Sequence, residues 1–67
     1  MKTVDARGLS CPEPVLLTRK AVSQGLPMEV YVDHEVALEN ILRFCSKENL
    51  KAEFQKKEEY YLIHIEK

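Results

Sequence analysis

The chain has 67 residues, and its ten lysines and arginines face eleven aspartates and glutamates, which gives a net charge of −1. A domain of this size buries only about 60% of the surface of its unfolded chain, so a deep, enclosed active site is not expected. The balanced charge also argues against nucleic-acid binding, which normally needs a basic excess.

The first third of the chain predicts a strand followed by a helix. Residues Lys2 to Ala6 alternate polar and apolar side chains, with Val4 and Ala6 on one face, which is typical of a short strand. A helix is expected from Pro12 to about Gln24, where Gly25 provides a stop signal. The apolar face of this helix is expected to contain Pro14, Leu17, Ala21 and Val22, widened by Val15 and Leu16.

A second strand is expected from Pro27 to Asp33 and a second helix from about Glu35 to Lys47. Asp33 or His34 precedes the first turn of that helix, where an N-cap residue belongs. The strand directs Met28, Val30 and Val32 to one side and Glu29, Tyr31 and Asp33 to the other. The helix has a buried face with the spacing i, i+3, i+4, i+7, formed by Leu38, Ile41, Leu42 and Cys45.

The last third predicts a hairpin of Lys51 to Lys57 and Tyr60 to Glu66 around Glu58-Glu59. The core residues expected from it are Ala52, Phe54, Tyr61, Ile63 and Ile65. The element order is βαβαββ, and right-handed crossovers place both helices on the same side of the sheet. The predicted fold is an α/β two-layer sandwich, with a four-stranded mixed sheet and two helices on one face, in one domain over residues 1–67.

The sheet face without helices would carry Tyr31, Tyr60, Leu62 and His64 among charged residues. One interpretation is a solvated face with scattered apolar groups. The alternative is a contact surface for a partner or a second copy, which would make the protein a non-catalytic regulatory or interaction module.

The segment Cys11-Pro12-Glu13-Pro14 places a thiol at the predicted start of the first helix. Pro12 suits the first helical position, and Pro14 still lies in the first turn, where no intrahelical donor is needed. Unpaired amides and the helix dipole favour a thiolate at Cys11. Arg7 adds to this effect if the loop folds it back, whereas Glu13 opposes it. Such a thiolate can accept sulfur as a persulfide; the alternative is that Cys11 only caps the helix.

The run from Asp5 to Pro14, Asp-Ala-Arg-Gly-Leu-Ser-Cys-Pro-Glu-Pro, resembles the amino-terminal signature of the TusA/SirA/YedF-like sulfur-carrier family. The resemblance implies a small carrier whose Cys11 accepts sulfane sulfur from a cysteine desulfurase or a rhodanese-like donor and relays it to an acceptor protein. Asp5, Gly8, Pro12 and Pro14 correspond to the motif residues around the cysteine, and Arg7 and Glu13 lie within the same motif. The resemblance implies sulfurtransferase-type chemistry without a cofactor.

The segment Val32-Asp33-His34-Glu35-Val36 departs from the Asp-Asp-Pro-like run of the thiouridine-pathway members and looks more like the YedF branch. That branch is linked by context to sulfur or selenium metabolism. The departure weakens the case for a role in tRNA thiolation more than it weakens the case for the carrier chemistry.

We expect structural roles for the remaining cysteine, histidine and aspartate residues. Cys45 lies on an apolar helix face, so a buried, inert thiol is expected, although a redox switch with Cys11 is a third hypothesis. His34 and His64 lack the spacing of a zinc site, so no metal is expected. For Asp5 and Asp33, turn and capping roles are expected rather than acid–base work.

The cellular location is predicted from two kinds of segment that the sequence lacks. No apolar run approaches the ~20 residues that span a bilayer, and no signal peptide precedes the first strand. We therefore expect a cytoplasmic protein without a membrane partner, whose two cysteines are reduced.

Overall fold

The computed structural model describes residues 2–9 and 13–67, which form four strands and two helices. In chain order the elements are β1 (Lys2–Asp5), α1 (Glu13–Ser23), β2 (Met28–Val32), α2 (Glu35–Lys47), β3 (Lys51–Lys56) and β4 (Tyr61–Glu66). The predicted βαβαββ order is confirmed, and each predicted boundary lies within about one residue of the observed one, apart from the predicted start of the first helix at Pro12, which lies outside the described residues.

The sheet is mixed and has the strand order β1-β2-β4-β3. β1 and β2 are parallel, with Val4 opposite Val30, while β4 runs antiparallel to both β2 and β3. On the helix side of the two inner strands the side chains are fully buried: Met28, Val30, Val32, Ile63 and Ile65. These residues and the inner faces of the helices form the core, so the predicted two-layer architecture is confirmed.

The buried face of α1 differs from the predicted one. Pro14, Thr18 and Ala21 are buried, whereas Leu17 is 38% exposed and Leu16 is 54% exposed. Thr18 lies one turn after Pro14, on the same face of the helix, and its hydroxyl donates a hydrogen bond of 2.8 Å to the Pro14 carbonyl oxygen. This bond satisfies the hydroxyl and allows a polar residue to be completely buried.

Helix α2 agrees with the sequence at both ends. Leu38, Ile41 and Cys45 are buried, and the neighbouring Ala37 is buried with them. The N-cap residue is His34, whose backbone is extended and whose side chain makes no capping hydrogen bond.

The β3–β4 hairpin turns at Glu58-Glu59 as predicted, and the Lys57 amide donates to the Tyr60 carbonyl oxygen at 2.8 Å. Phe54 lies opposite Ile63 and shares its face, yet it is 48% exposed. β3 is an edge strand with a neighbour on one side only, and the Phe54 ring packs edge-on against Tyr61 at 6.3 Å between centroids. Phe54 therefore covers the margin of the core instead of filling it.

Candidate functional site

The predicted site lies where the parallel strands β1 and β2 both end. The Ala6 amide donates to the Tyr31 carbonyl oxygen at 2.8 Å, which extends the pairing of the two strands by one bond beyond β1. The chain then turns through Arg7 and Gly8 towards Leu9, which packs against the core. Cys11, with Ser10 and Pro12, lies outside the described residues. The structure therefore defines the two flanks of the predicted thiol site.

Asp5 and Arg7 form a bidentate ion pair at the start of this turn. Arg7 Nε donates to Asp5 Oδ1 at 2.9 Å and Nη2 donates to Oδ2 at 3.0 Å. The Arg7 amide also donates to Oδ1, at 3.1 Å. The side-chain hydrogen bonds from Arg7, followed by its backbone hydrogen bond, lower the pKa of the Asp5 carboxyl. Asp5 therefore stays ionised and acts as a turn residue, which agrees with the expected turn role.

The Arg7 guanidinium also covers two tyrosine rings on the sheet face without helices. Its central carbon lies 5.5 Å from the ring centroid of Tyr31 and 5.5 Å from that of Tyr60. The two rings meet edge to face, with centroids 5.3 Å apart. Arg7 is thus held by Asp5 and by the rings. Its expected contribution to a Cys11 thiolate concerns a residue outside the described part, and it stays a prediction.

Gly8 takes the backbone conformation that its position requires. Its φ angle is +80°, a value that L side chains rarely adopt, and its amide donates to Asp33 Oδ2 at 2.9 Å. Asp33 follows β2 directly, so this bond joins the ends of the two parallel strands through a contact 25 residues apart in sequence. The sequence indicated a turn or capping role for Asp33 but not this partner.

On the other flank, Glu13 and Pro14 begin α1. Glu13 is exposed in the first turn, and Pro14 is buried against the core side of the helix. The buried Pro14 and the Thr18 hydroxyl that bonds its carbonyl oxygen anchor the helix start. The chain is therefore fixed on both sides of residues 10–12.

Cys45 is buried in α2, as predicted, and burial raises the pKa of its thiol to about 11. A thiol is nucleophilic as the thiolate, so Cys45 is unreactive at neutral pH. The hypothesis of a disulfide with Cys11 involves a residue outside the described ranges and stays untested.

The histidines occupy surface positions. His34 is exposed beside Asp33, while His64 is half-buried between Glu66 at 3.3 Å and Glu29 at 3.7 Å. In residues 2–9 and 13–67, no group of three or more histidine, cysteine, aspartate or glutamate side chains is arranged to hold a metal ion. Over the same ranges, neither helix has the length and hydrophobicity needed to cross a membrane.

Comparisons with known proteins identify the family and agree with the fold. Residues 2–67 match the family described as Sulfurtransferase TusA. A protein of Methanocaldococcus jannaschii named "Putative sulfur carrier protein" is 48% identical over 48 residues, which span 67% of this chain and 64% of that protein. The crystal structure of a SirA-like protein from Desulfitobacterium hafniense superimposes with a TM-score of 0.91 at 27% identity, covering 98% of this chain and 96% of the other. The chain therefore belongs to the TusA-like family of sulfur carriers.

Proposed function

We propose that this protein carries sulfane sulfur as a persulfide on Cys11 and relays it from a donor protein to an acceptor protein. The observation that carries the proposal is the family match over residues 2–67, a range that includes the complete Cys-Pro-Glu-Pro motif. Asp5, Arg7, Gly8, Pro12, Glu13 and Pro14 are the proposed supporting residues.

The proposed reaction is an exchange between sulfur atoms. The Cys11 thiolate attacks the outer sulfur of a donor persulfide, a new S–S bond forms on Cys11, and the donor S–S bond breaks to release the donor thiolate. The acceptor repeats the exchange on the Cys11 persulfide. No external oxidant or reductant is consumed, because each step breaks one S–S bond for each one that it forms.

The anchored flanks support this chemistry. The Asp5 carboxylate binds Arg7, the Asp33 carboxylate binds Gly8, and Leu9 packs against the core. Pro14 is buried on the other side of residues 10–12. Only three residues connect these flanks, so the reach of Cys11 is limited by the chain itself. A restraint of this kind lowers the entropy cost of aligning a reacting atom with its partner.

Exposed apolar side chains next to this end of the sheet support a protein donor. Leu16 is 54% exposed in α1, and Val36 is 59% exposed in the first turn of α2. Both helices begin at the sheet end where β1 and β2 stop. We infer that a donor such as a cysteine desulfurase or a rhodanese-like protein contacts these side chains.

The test is sulfur loading followed by intact mass measurement. After incubation with a cysteine desulfurase and cysteine, the wild-type protein should gain about 32 Da for one sulfur, and a reductant should remove it. Cys11→Ala should gain nothing, while the matched variant Cys45→Ala should load like the wild type. An unmodified wild type, or equal loading of the Cys11→Ala variant, would show that the proposal is wrong.

A second measurement separates chemistry from docking. Leu16→Ser should slow loading from the protein donor but not from inorganic polysulfide, because the small donor needs no protein contact. Equal slowing with both donors would contradict the proposed docking surface.

A further inference from the structure

We propose that Asp33 is a positioning residue for Cys11, because its carboxylate holds the turn from which the cysteine segment departs. The inference rests on the sulfur-carrier function proposed above. Asp33 Oδ2 accepts the Gly8 amide at 2.9 Å, and Gly8 precedes Cys11 by three residues. Asp33 lies outside the Cys-Pro-Glu-Pro motif, on a different strand end.

Asp33 continues the pairing of β1 and β2 where their main chains separate. The last main-chain bond beyond the paired strands joins the Ala6 amide to the Tyr31 carbonyl oxygen at 2.8 Å. The next contact towards the cysteine uses a side chain instead, from Asp33 to Gly8. The Asp33 side chain therefore supplies the acceptor for Gly8 at the point where the main-chain pairing of the two strands has ended.

The second oxygen of Asp33 has capacity for another contact. Oδ1 is buried and accepts no hydrogen bond from residues 2–9 and 13–67, while His34 Nε2 lies 3.5 Å away. A buried carboxylate oxygen is costly without a donor. Asp33 can therefore accept one further donor while it retains Gly8.

The fold does not depend on Asp33 alone. Arg7 is bonded to Asp5 and covers Tyr31 and Tyr60, and Leu9 packs against the core; none of these contacts uses Asp33. Removing the Asp33 carboxylate removes the contact that holds Gly8 and leaves the contacts that hold Arg7 and Leu9. We therefore expect a folded protein in which the direction of the turn is less well fixed.

The experiment compares Asp33→Asn with Asp33→Ala, because the asparagine keeps an oxygen acceptor and removes the charge. Glu29→Gln is the matched control, since it neutralises a carboxylate on β2, away from the turn. The first readout is hydrogen exchange of the Gly8 amide by NMR. Exchange should be at least tenfold faster in Asp33→Ala than in the wild type, and within about twofold of it in Asp33→Asn and Glu29→Gln.

The second readout is the rate of Cys11 alkylation by iodoacetamide from pH 5 to 10, with the rate of sulfur loading beside it. A merely structural residue would change thermal stability but would leave the alkylation profile of the folded protein in place. We expect the midpoint of this profile to shift in Asp33→Ala, together with a loading rate at least tenfold lower, and Asp33→Asn to restore both. Equal behaviour of the two Asp33 variants, whether changed or unchanged, would overturn the proposal.

The two proposals fail separately. Alkylation does not require that the protein carry sulfur, so a wild type that never loads sulfur refutes the proposed function while the Gly8 exchange and the alkylation profile still test Asp33. A wild type that loads sulfur, with an Asp33→Ala variant that loads at the same rate and keeps the same profile, refutes the role of Asp33 and leaves the carrier function standing.

Discussion

Cys45 should be almost inert in the native protein, and the size of the effect follows from its environment. Burial raises the pKa of this thiol to about 11, so about 0.1% of it is thiolate at pH 8, against about a quarter for an unperturbed thiol with a pKa of about 8.5. Ionisation alone therefore slows alkylation of Cys45 by about 200-fold relative to a free thiol. Its side chain is also 1% exposed, which excludes the reagent further.

The assay uses the Cys11→Ala variant, in which Cys45 is the remaining thiol. Its alkylation by iodoacetamide at pH 8 is followed by intact mass, with glutathione as the reference thiol and the same variant in urea as the unfolded control. We expect rapid labelling in urea and a rate at least about 200-fold below that of glutathione in the native state. A native rate within tenfold of glutathione would refute the assignment of a buried, neutral thiol and would favour the redox-switch hypothesis.

Four further predictions test the core, the turn and the sheet face. Ile41→Ala should lower the unfolding free energy by about 2–5 kcal/mol in urea titration, because its side chain is fully buried, whereas the exposed Val36→Ala on the same helix should change it by less than about 0.5 kcal/mol. Gly8→Ala should cost about 1 kcal/mol or more by the same measurement, because its φ is +80°; an unchanged midpoint would contradict that conformation. Burial raises the folded pKa of Cys45 above its unfolded value, so the stability this thiol confers is complete below about pH 8.5 and is lost as the pH rises through about 11; the Cys45→Ala variant should lack this part of the alkaline loss in titrations at several pH values. Leu62→Ser on the open sheet face should leave sulfur loading within about twofold of wild type; the interaction-module alternative predicts instead that Cys11→Ser keeps the cellular activity and Leu62→Ser abolishes it.

Much of the fold could be predicted from the sequence because its elements carry strong periodic patterns. Both ends of α2 and its buried residues Leu38, Ile41 and Cys45 follow from one apolar stripe. The face of α1 was harder to predict, because Leu17 is apolar and Thr18 is not, yet Thr18 is the buried one. Its hydroxyl finds an acceptor one turn back, at Pro14, and hydrophobicity alone does not report such a bond.

The site could be predicted only where it is local in the chain. Asp5, Arg7 and Gly8 lie in one short motif, and the structure brings Arg7 onto Asp5 as an ion pair. The contact between Gly8 and Asp33 spans 25 residues. It arises because β1 and β2 pair in parallel and end together, so it requires the register of the sheet, which a single sequence does not supply. The contact of Arg7 with Tyr31 depends on the same register, and its contact with Tyr60 depends also on the pairing of β2 with β4.

The strand order affects whether a second chain can pair with the edges of the sheet. β1 and β3 form the two borders of the sheet, and both carry ionic side chains: Lys2 and Asp5 on β1, and Lys51, Glu53 and Lys56 on β3. Borders of this kind resist the addition of a foreign strand, since docking would strip water from charged groups. Pairing between the border strands of two copies of the chain is thereby disfavoured.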